Sequence, residues 1–432
     1  MMVHPVVAAP AALAYWSSHD HGRTEEEDLE SEEPKPPGER LDAVDPGAQR
    51  VPAVPERQAA PRRVPDLRLV QGPPGRRRRL IPHMRAGPPR ITAPDGSGAA
   101  HSSDDLAALP VAVDAMGGDH APAEIVAGAR QAAEELGIAV ALVGDPDRLG
   151  GAGLPVIAAA EVIEMHEDAG RAVRTKKDSS LLRAAEAVRD GRASAMVSAG
   201  NTGATMASAL LRMGRLNGVG RPAIATPIPV PGSTPTVLLD AGANAECSAA
   251  WLVQFAQMGS AFCRDRFGIA DPRVGLLSIG EEETKGSPLV KETHALLAAG
   301  AAGPAVNFTG NVEGRDVMSD RVDVVVTDGF TGNVVLKTLE GGVRTVVDQV
   351  VGTMTASDEA RQAAKVLLPA LAALAAELDP DTYGGALLLG VNGVCIISHG
   401  SSKTAAIVNA VRVAHEAVRH RLVDQLQDAI FS

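Results

Sequence analysis

The sequence predicts an α/β protein built on a mainly parallel β-sheet with helices packed on both faces. From residue 111 onward, short β-branched runs alternate with Ala-rich stretches, and repetition of strand, loop and helix is typical of a parallel sheet. The β-branched runs are almost continuously apolar, as expected for strands buried on both faces. Because 45% of the residues are hydrophobic and 22% are charged, the chain can bury a sizeable core.

Local signals set the limits of each element. A strand ends where a polar, Gly-rich loop begins, a proline suits the first turn of a helix, and a glycine closes the last turn. In chain order the sequence predicts a strand at 111–113, a helix at 122–136, a strand at 139–143, a helix at 180–190 closed by Gly191, a strand at 194–197, a helix after residue 203, and strands at 237–239, 274–279 and 322–326.

Residues 1–109 have a different character from the rest of the chain. They contain 16 of the 30 prolines, an acidic run at 25–33 and a basic run at 76–79, and they show no helical or strand period. Such a segment cannot bury enough apolar surface to offset its chain entropy, so we expect it to be disordered. The run at 76–79 is either a solvated linker or a basic arm that touches nucleic acid or lipid. The expected organisation is therefore a disordered extension at 1–109 and one folded unit at 110–432.

Composition excludes several classes of protein. Aromatic residues make up only 2% and the net charge is −12, which argues against a nucleic-acid-binding protein. The three cysteines are widely spaced and fit neither a disulfide framework nor a zinc site, so a reducing cytoplasm is the expected compartment. No run of about 20 apolar residues is present, so no membrane-spanning helix is expected.

Polar loops rich in glycine follow the predicted strands. Because ligands of open α/β sheets bind beyond the carboxyl ends of the strands, these loops are expected to converge on one crevice. The five loops are 114–120, 198–203, 240–244, 280–286 and 328–333.

Two of these loops have the composition of an anion site. Residues 200–203 and 331–333 each combine glycine, a hydroxyl and an amide just before a predicted helix, where free backbone N–H groups favour negative charge. Lys285 lies in the fourth loop, and Lys337 lies one turn into the helix after the fifth. Either cation could neutralise a phosphate or an oxyanion, or could be a solvated surface lysine.

Other chemistries lack a supporting motif. The sequence has no P-loop, no GxGxxG after the first strand and no GxSxG elbow. Asp114, Asp240 and Asp328 are far apart and lack a ligand motif, so capping or loop bracing is favoured over metal binding. His120 and His399 are either general acids or structural residues.

The loops carry a resemblance to the bacterial phosphate acyltransferases of phospholipid synthesis, the acyl-ACP:phosphate transacylases. The similarity covers about 110–420. It runs in order through 113–122 (Val-Asp-Ala-Met-Gly-Gly-Asp-His-Ala-Pro), 176–180, 198–204, 221–223, 239–244, 273–277, 310–313, 324–340, 383–386 and 399–402. The resemblance implies a Rossmann-like α/β/α sandwich similar to phosphotransacetylases and isopropylmalate-type dehydrogenases. It also implies a homodimer without metal or organic cofactor. The implied reaction is acyl-ACP plus phosphate giving acyl phosphate plus ACP, and the acyl phosphate then passes to a membrane-bound glycerol-3-phosphate acyltransferase.

This reaction sets modest demands on the protein. Phosphate is already a nucleophile and a thioester is a good acceptor, so the site needs an anion cradle, an oxyanion donor and orientation. We expect the two Gly-rich loops to hold phosphate, an asparagine to donate to the oxyanion, a lysine to balance charge, and the loop after 398 to line the far wall. The phosphate-binding candidates are Gly200, Thr202 and Gly203 with Thr331 and Gly332. The candidate oxyanion donors are Asn201, Asn244 or Asn333, and the candidate lysines are Lys285 or Lys337. The candidates for the far wall are His399, Ser401 and Ser402.

Two partner surfaces are predicted. A basic cluster on this otherwise acidic protein is suited to docking the acidic acyl carrier protein, or is a solvated face; it comprises Arg171, Arg174, Lys176, Lys177 and Arg183. The segment 361–378 carries leucines at helical spacing but is short and interrupted by Pro369. Dimer or core contact is the favoured interpretation, and peripheral contact with a membrane surface is the alternative.

Three other functions stay open at this point. A general phosphotransacylase would use acyl-CoA in place of acyl-ACP. A decarboxylating nicotinamide-dependent dehydrogenase would need paired metal-binding aspartates, which the sequence lacks. A non-catalytic ligand-binding protein on the same fold would bind ligand without turnover.

Overall fold

The computed structural model describes residues 103–431. Residues 1–102 of the extension 1–109, which is predicted to be disordered, lie outside this range. Helix α1 (Ser103–Ala107) precedes the predicted boundary at residue 110, and the side chains of Leu106 and Ala107 pack against the hydrophobic core.

A single sheet with strand order β3-β2-β1-β4-β11-β10-β5-β6-β9-β7-β8 organises the described residues. The strands are β1 (Val111–Asp114), β2 (Val140–Gly144), β3 (Val156–Ala158), β4 (Ala195–Ser198), β5 (Ala223–Ile228), β6 (Thr236–Leu239), β7 (Arg273–Leu277), β8 (Asn307–Val312), β9 (Val324–Val326), β10 (Ala386–Leu389) and β11 (Val394–Ile397). The expected α/β class and mainly parallel sheet are confirmed.

Helices connect the strands and cover both faces of the sheet. They are α2 (Ala123–Leu136), α3 (Pro146–Leu149), α4 (Ala169–Thr175), α5 (Ser180–Arg189), α6 (Thr202–Arg212), α7 (Ala249–Phe267), α8 (Pro288–Ala298), α9 (Gly329–Thr355), α10 (Asp358–Leu378), α11 (Thr404–Arg419) and α12 (Leu422–Phe431), with 3₁₀ turns at Gly314–Asp316 and Pro380–Tyr383.

Two hydrophobic layers sandwich the sheet. Alternate residues of one strand enter different layers, as Val113 and Ala112 of β1 show. Ile125 of α2 and Phe255 of α7 pack in the layer that contains Val113. Leu336 of α9 packs in the other layer. Complete burial of a side chain such as Phe255 contributes roughly 1.5–3 kcal/mol, so the strands are held by apolar contacts on both faces.

The direction of the strands changes in the middle of the sheet. Strands β1–β4 and β11 are mutually parallel, and so are β6–β9. Between these halves, β10 is antiparallel to both β11 and β5, and β5 is antiparallel to β6. The two halves therefore run in opposite directions, and the carboxyl ends of their strands lie at opposite edges of the sheet.

This reversal contradicts the predicted convergence of five loops on one crevice. Loops 114–120 and 198–203 lie at one edge, whereas 240–244, 280–286 and 328–333 lie at the other. The prediction of one crevice was wrong because it did not include β5 and β10, the two strands at which the direction reverses.

Helices α9 and α10 form a pair with little contact to the core. Ala364 is the one residue of α10 that is buried, whereas Val366, Leu367 and Leu374 are exposed. The expected core contact of 361–378 is therefore not found in the single chain. No helix within residues 103–431 is both long enough and apolar enough to cross a membrane.

Candidate active site

Three loops meet at the carboxyl ends of β1, β4 and β11, and we call residues 114–120, 198–203 and 398–403 the first loop cluster. The amide of Asp119 donates to the carbonyl of Gly400 at 2.8 Å, and the amide of Ser398 donates to the carbonyl of Ser198 at 2.8 Å. A Cβ atom on Gly117 would lie 2.8 Å from the Cα atom of Gly200. Glycine at 117 therefore permits the backbones of the first two loops to touch.

Asp114 braces this cluster from inside. Its side chain is buried and accepts hydrogen bonds from the Ser198 hydroxyl at 2.7 Å and the Met116 amide at 3.2 Å. Ser198 in turn accepts from the Gly200 amide at 3.0 Å. Burial raises the pKa of Asp114, although hydrogen bonds from Ser180 and Ser198 oppose the shift. The predicted loop-bracing role of Asp114 is confirmed.

Asn201 joins the second of these loops to residues 161–168. Its Oδ1 accepts from the Ala204 amide at 2.9 Å and so caps α6. Its Nδ2 donates to the carbonyls of Met165 at 2.9 Å and Glu167 at 3.2 Å. Both side-chain N–H groups are thus engaged. The amides of Thr202 and Gly203 lie in the first turn of α6, where a helix leaves N–H groups without intrahelical partners.

Buried hydroxyls in the third loop have no internal partner. The Oγ atoms of Ser398 and Ser402 find no hydrogen-bond partner among the described residues, although these residues are only 5% and 1% exposed. A buried polar group left unpaired costs about 1–3 kcal/mol. These hydroxyls are therefore unused donors beneath the loop surface, and the neighbouring Ser401 is exposed to solvent.

The flank of α9 brings charged groups to the same cluster. The Glu340 carboxylate contacts the Lys337 ammonium at 2.8 Å and the His399 Nε2 atom at 3.0 Å. Burial alone would raise the pKa of Glu340, but hydrogen bonds from His399 and Lys337 outweigh burial and hold the pKa below its ordinary value. Nearby, burial raises the pKa values of Asp379 and Asp381.

At the opposite edge, residues 240–248, 278–286 and 327–333 form what we call the second loop cluster. The buried Asp240 carboxylate accepts five hydrogen bonds, from the amides of Ile224, Gly242, Ala243 and Asn244 and from the Asn244 side chain. Burial raises the pKa of Asp240 and these hydrogen bonds oppose the shift. A Cβ atom on Gly332 would lie 2.0 Å from the Asp240 carbonyl oxygen, so glycine is required there.

The polar candidates of the second loop cluster mostly bond within it. Asn244 Nδ2 donates to Asp240 and to the Pro222 carbonyl, both at 2.8 Å. The Thr331 hydroxyl donates to Asp328 at 2.8 Å, and Asp328 caps α9, as the bracing hypothesis predicted.

Asn333 and Lys285 are exposed at the same edge. Five of the predicted site residues therefore lie at the opposite edge of the sheet from the candidates of the first loop cluster: Asn244, Lys285, Thr331, Gly332 and Asn333.

A surface groove borders the second loop cluster. Arg221 lies 5.1 Å from the centre of the Trp251 ring, and Asn244, Cys247 and Ser248 also line the groove. Burial raises the pKa of Cys247 to about 11, so its thiol is a poor nucleophile at neutral pH. In residues 103–431 no group of three or more His, Cys, Asp or Glu side chains is placed to hold a metal ion.

The predicted basic cluster divides into paired and exposed cations. Lys176 bonds Glu167 at 2.5 Å, and Arg183 bonds Asp178 at 2.6 Å. Arg171, Arg174 and Lys177 are exposed. Three of the five cations are thus presented to solvent around α4.

Comparison with known proteins shows the family of the chain. A family model described as fatty acid synthesis protein matches residues 109–425. The phosphate acyltransferase of Heliobacterium modesticaldum is 49% identical over 333 residues, covering 74% of this chain and 98% of the relative. The chain belongs to the phosphate acyltransferase family. The phosphate acyltransferases of Thermobifida fusca and a Nostoc species are each 46% identical over 328 residues, covering 91% and 95% of those proteins.

The solved structures that resemble the chain are less similar to it in sequence than these phosphate acyltransferases. A phosphotransacetylase from Streptococcus pyogenes is 17% identical with a TM-score of 0.48, covering 72% of this chain and 94% of that one. A phosphotransacetylase from Staphylococcus aureus is 15% identical with a TM-score of 0.46, covering 74% and 99%.

Sequence reasoning missed Glu340 as a site residue. Its contact with His399 spans 59 positions, which no local pattern reveals. Its spacing of three residues from Lys337 on a helix was an available signal, because residues at i and i+3 lie on one helix face.

Proposed function

We propose that the first loop cluster transfers a long-chain fatty acyl group from a carrier-linked thioester to inorganic phosphate, giving acyl phosphate for phospholipid synthesis. The observation that supports this site over the second loop cluster is its larger supply of unused hydrogen-bond donors. Within residues 103–431, the Ser398 and Ser402 hydroxyls have no internal partner, and the Thr202 and Gly203 amides precede the first intrahelical bonds of α6. Lys337 and His399 stand beside them, whereas the second loop cluster offers the single unpaired Ser278 hydroxyl. Membership of the phosphate acyltransferase family supplies the reaction class.

Phosphate binding is assigned to donors of the first loop cluster. The amides of Thr202 and Gly203 lie in the first turn of α6, where the helix dipole and free N–H groups favour an anion. The Gly200 amide is instead held by the Ser198 hydroxyl at 3.0 Å. Ser401 and Ser402 add hydroxyls from the facing loop, and Lys337 adds a positive charge. Asn201 serves by fixing the loop, since its own donors are spent.

The reaction requires little covalent chemistry from the protein. An oxygen of HPO₄²⁻ attacks the thioester carbonyl carbon, a tetrahedral oxyanion forms, and the carbon–sulfur bond breaks to give acyl phosphate and a thiol. Donors that are already in place stabilise the oxyanion without reorganising during the reaction. Lys285, Asn244, Asn333, Thr331 and Gly332 are assigned instead to building the second loop cluster.

An acyl carrier protein is the proposed acyl donor. The exposed Arg171 and Arg174 lie on α4 and Lys177 follows it. Helix α4 packs against α6. A Cβ atom on Gly203 would lie 3.1 Å from the Ala169 Cβ atom, so the basic face adjoins the first loop cluster. An acidic carrier would be steered to the mouth of the site by these charges.

A second copy of the chain is proposed to cover the apolar residues of α9 and α10. Val350, Val366, Leu367 and Leu374 are exposed on these helices, and a contiguous apolar surface typically marks an interface. Peripheral contact with a membrane is the alternative use of the same residues, and it would place the product near a membrane-bound glycerol-3-phosphate acyltransferase.

The test measures phosphate-dependent release of free thiol by the full-length protein. Palmitoyl-ACP is compared with palmitoyl-CoA, each with and without phosphate. Release from palmitoyl-ACP only in the presence of phosphate is expected. Equal release from palmitoyl-CoA would indicate a general phosphotransacylase, and no release from folded protein would overturn the proposed activity.

A further inference from the structure

The proposed reaction, on which this inference rests, moves one proton between two substrates. HPO₄²⁻ carries one proton, the acyl phosphate dianion carries none, and the departing sulfur ends as a thiol. The proton must therefore pass from the phosphate oxygen to the sulfur. A side chain that accepts and then returns a proton near neutral pH performs such a transfer, and imidazole is the group best suited to it.

His399 has the surroundings that this role requires. Its loop belongs to the first loop cluster, and its side chain is 39% exposed, so substrates can reach the ring. Its Nε2 atom contacts the Glu340 Oε1 atom at 3.0 Å, while the other Glu340 oxygen is held by Lys337 at 2.8 Å. His120 lies in the same cluster and is exposed, but no carboxylate within hydrogen-bond distance orients it in the described residues.

Glu340 determines which ring nitrogen carries the hydrogen. Its side chain is 23% exposed and is paired with two cationic or donating groups, which favours the ionised form. An ionised carboxylate only accepts hydrogen bonds. The Nε2 atom of His399 must then carry the hydrogen, and the lone pair of neutral imidazole is left on Nδ1. A carboxylate that fixes an imidazole tautomer in this way is a recurrent arrangement in acyl transfer.

We infer that His399 is the acid–base residue of the reaction and that Glu340 is its positioning residue. Nδ1 of His399 takes the proton of HPO₄²⁻ as a phosphate oxygen forms its bond to the carbonyl carbon. The resulting imidazolium is stabilised by the Glu340 carboxylate. As the carbon–sulfur bond breaks, Nδ1 returns the proton to the sulfur, so the imidazole is neutral again and the thiol leaves.

The experiment compares His399→Gln and Glu340→Gln with the natural chain on two thioesters. One is palmitoyl-ACP, and the other is the palmitoyl thioester of 4-nitrothiophenol, whose thiolate leaves without protonation. General acid–base catalysis typically contributes 10²–10⁴-fold, so His399→Gln should lower kcat with palmitoyl-ACP by about 100-fold or more and Glu340→Gln by about tenfold. Both losses should be much smaller with the aryl thioester. Imidazole added to His399→Ala should restore part of its activity with palmitoyl-ACP.

The matched control is His420→Gln, which removes a His–carboxylate contact (Nδ1 to Asp265 Oδ1, 3.4 Å) far from the first loop cluster. It should leave kcat unchanged with both thioesters. Natural activity in His399→Gln, or a loss that is equal for both thioesters and is not relieved by imidazole, would overturn the inference. If the natural chain itself releases no thiol, the proposed function fails first. If His399→Gln does not fold, Glu340→Gln on the two thioesters decides.

Discussion

The contact between Gly117 and Gly200 gives a direct test of how the first loop cluster is held. Gly117→Ala would place a Cβ atom 2.5 Å from Asp114 Oδ2, 2.8 Å from the Gly200 Cα atom and 2.9 Å from the Gly200 amide nitrogen. The backbone at 117 is not left-handed, so the cost arises from contact and not from conformation. Asp114 is held by Ser198 and Met116 and has no free direction in which to retreat.

The magnitude follows from overpacking. Forcing a methyl group into a packed site typically costs 1–3 kcal/mol, and each kcal/mol shifts Tm by roughly 2–4 °C in a domain of 150–250 residues. We therefore expect Tm to fall by roughly 2–12 °C. Separation of the two loops by even part of an ångström should also lower kcat/KM by about tenfold or more, because displacement of about 1 Å can cost 100-fold.

Thermal unfolding followed by circular dichroism and thiol release from palmitoyl-ACP are the two assays. The matched control is Gly151→Ala, where an added Cβ atom meets nothing within 4 Å. A Gly117→Ala protein with the Tm and kcat/KM of the Gly151→Ala protein would refute the close approach of the two loops.

Three further predictions concern docking, helix stability and pH. The double variant Arg171→Glu, Arg174→Glu should raise KM for palmitoyl-ACP with little change in kcat, and the effect should shrink as salt is added because exposed charges are screened; steady-state kinetics at two salt concentrations checks this. Gly342→Ala, in the exposed interior of α9, should raise the free energy of unfolding by up to about 1 kcal/mol in chemical denaturation. Hydrogen bonds from Thr404 lower the pKa of Glu124, so its stabilising effect is present above the unfolded-state pKa and is lost as pH falls through the folded-state value. Melting curves should show Glu124→Gln less stable than the natural chain at pH 7, with the difference shrinking as the pH falls below the unfolded-state pKa and disappearing below the folded-state pKa.

Elements with strong local signals could be predicted from the sequence. The strand at 111–113 and the helix at 122–136 match β1 and α2 to within a residue. An apolar run that ends at Asp114 and an αL glycine at 137 specify these limits without reference to the rest of the chain. Gly191 likewise follows the end of α5 with a left-handed backbone.

Strand direction could not be predicted in the same way. Strand β5 contains Pro227, which pairs with Val237 in β6, although a proline inside an apolar run argues against a central strand. Whether a strand runs parallel or antiparallel to its neighbours depends on partners that are distant in sequence; β10 pairs with β5 across more than 150 residues. Because β5 and β10 were not predicted, loops 240–244, 280–286 and 328–333 were assigned to the wrong edge of the sheet.

The two loop clusters show why composition alone does not identify a ligand site. Both consist of Gly-rich loops with aspartate, asparagine and hydroxyl groups at strand ends, and both include a helix start. In the second loop cluster, Asp240 and Asn244 satisfy each other and the surrounding backbone, so most of the polarity is consumed in building the turn. In the first loop cluster, the Ser398 and Ser402 hydroxyls stay unpaired within the described residues, whereas the second loop cluster has one such hydroxyl, that of Ser278. Because an unpaired buried donor is costly unless a ligand uses it, the balance of used and unused donors distinguishes a structural loop from a binding loop, and that balance can be counted only once the fold is known.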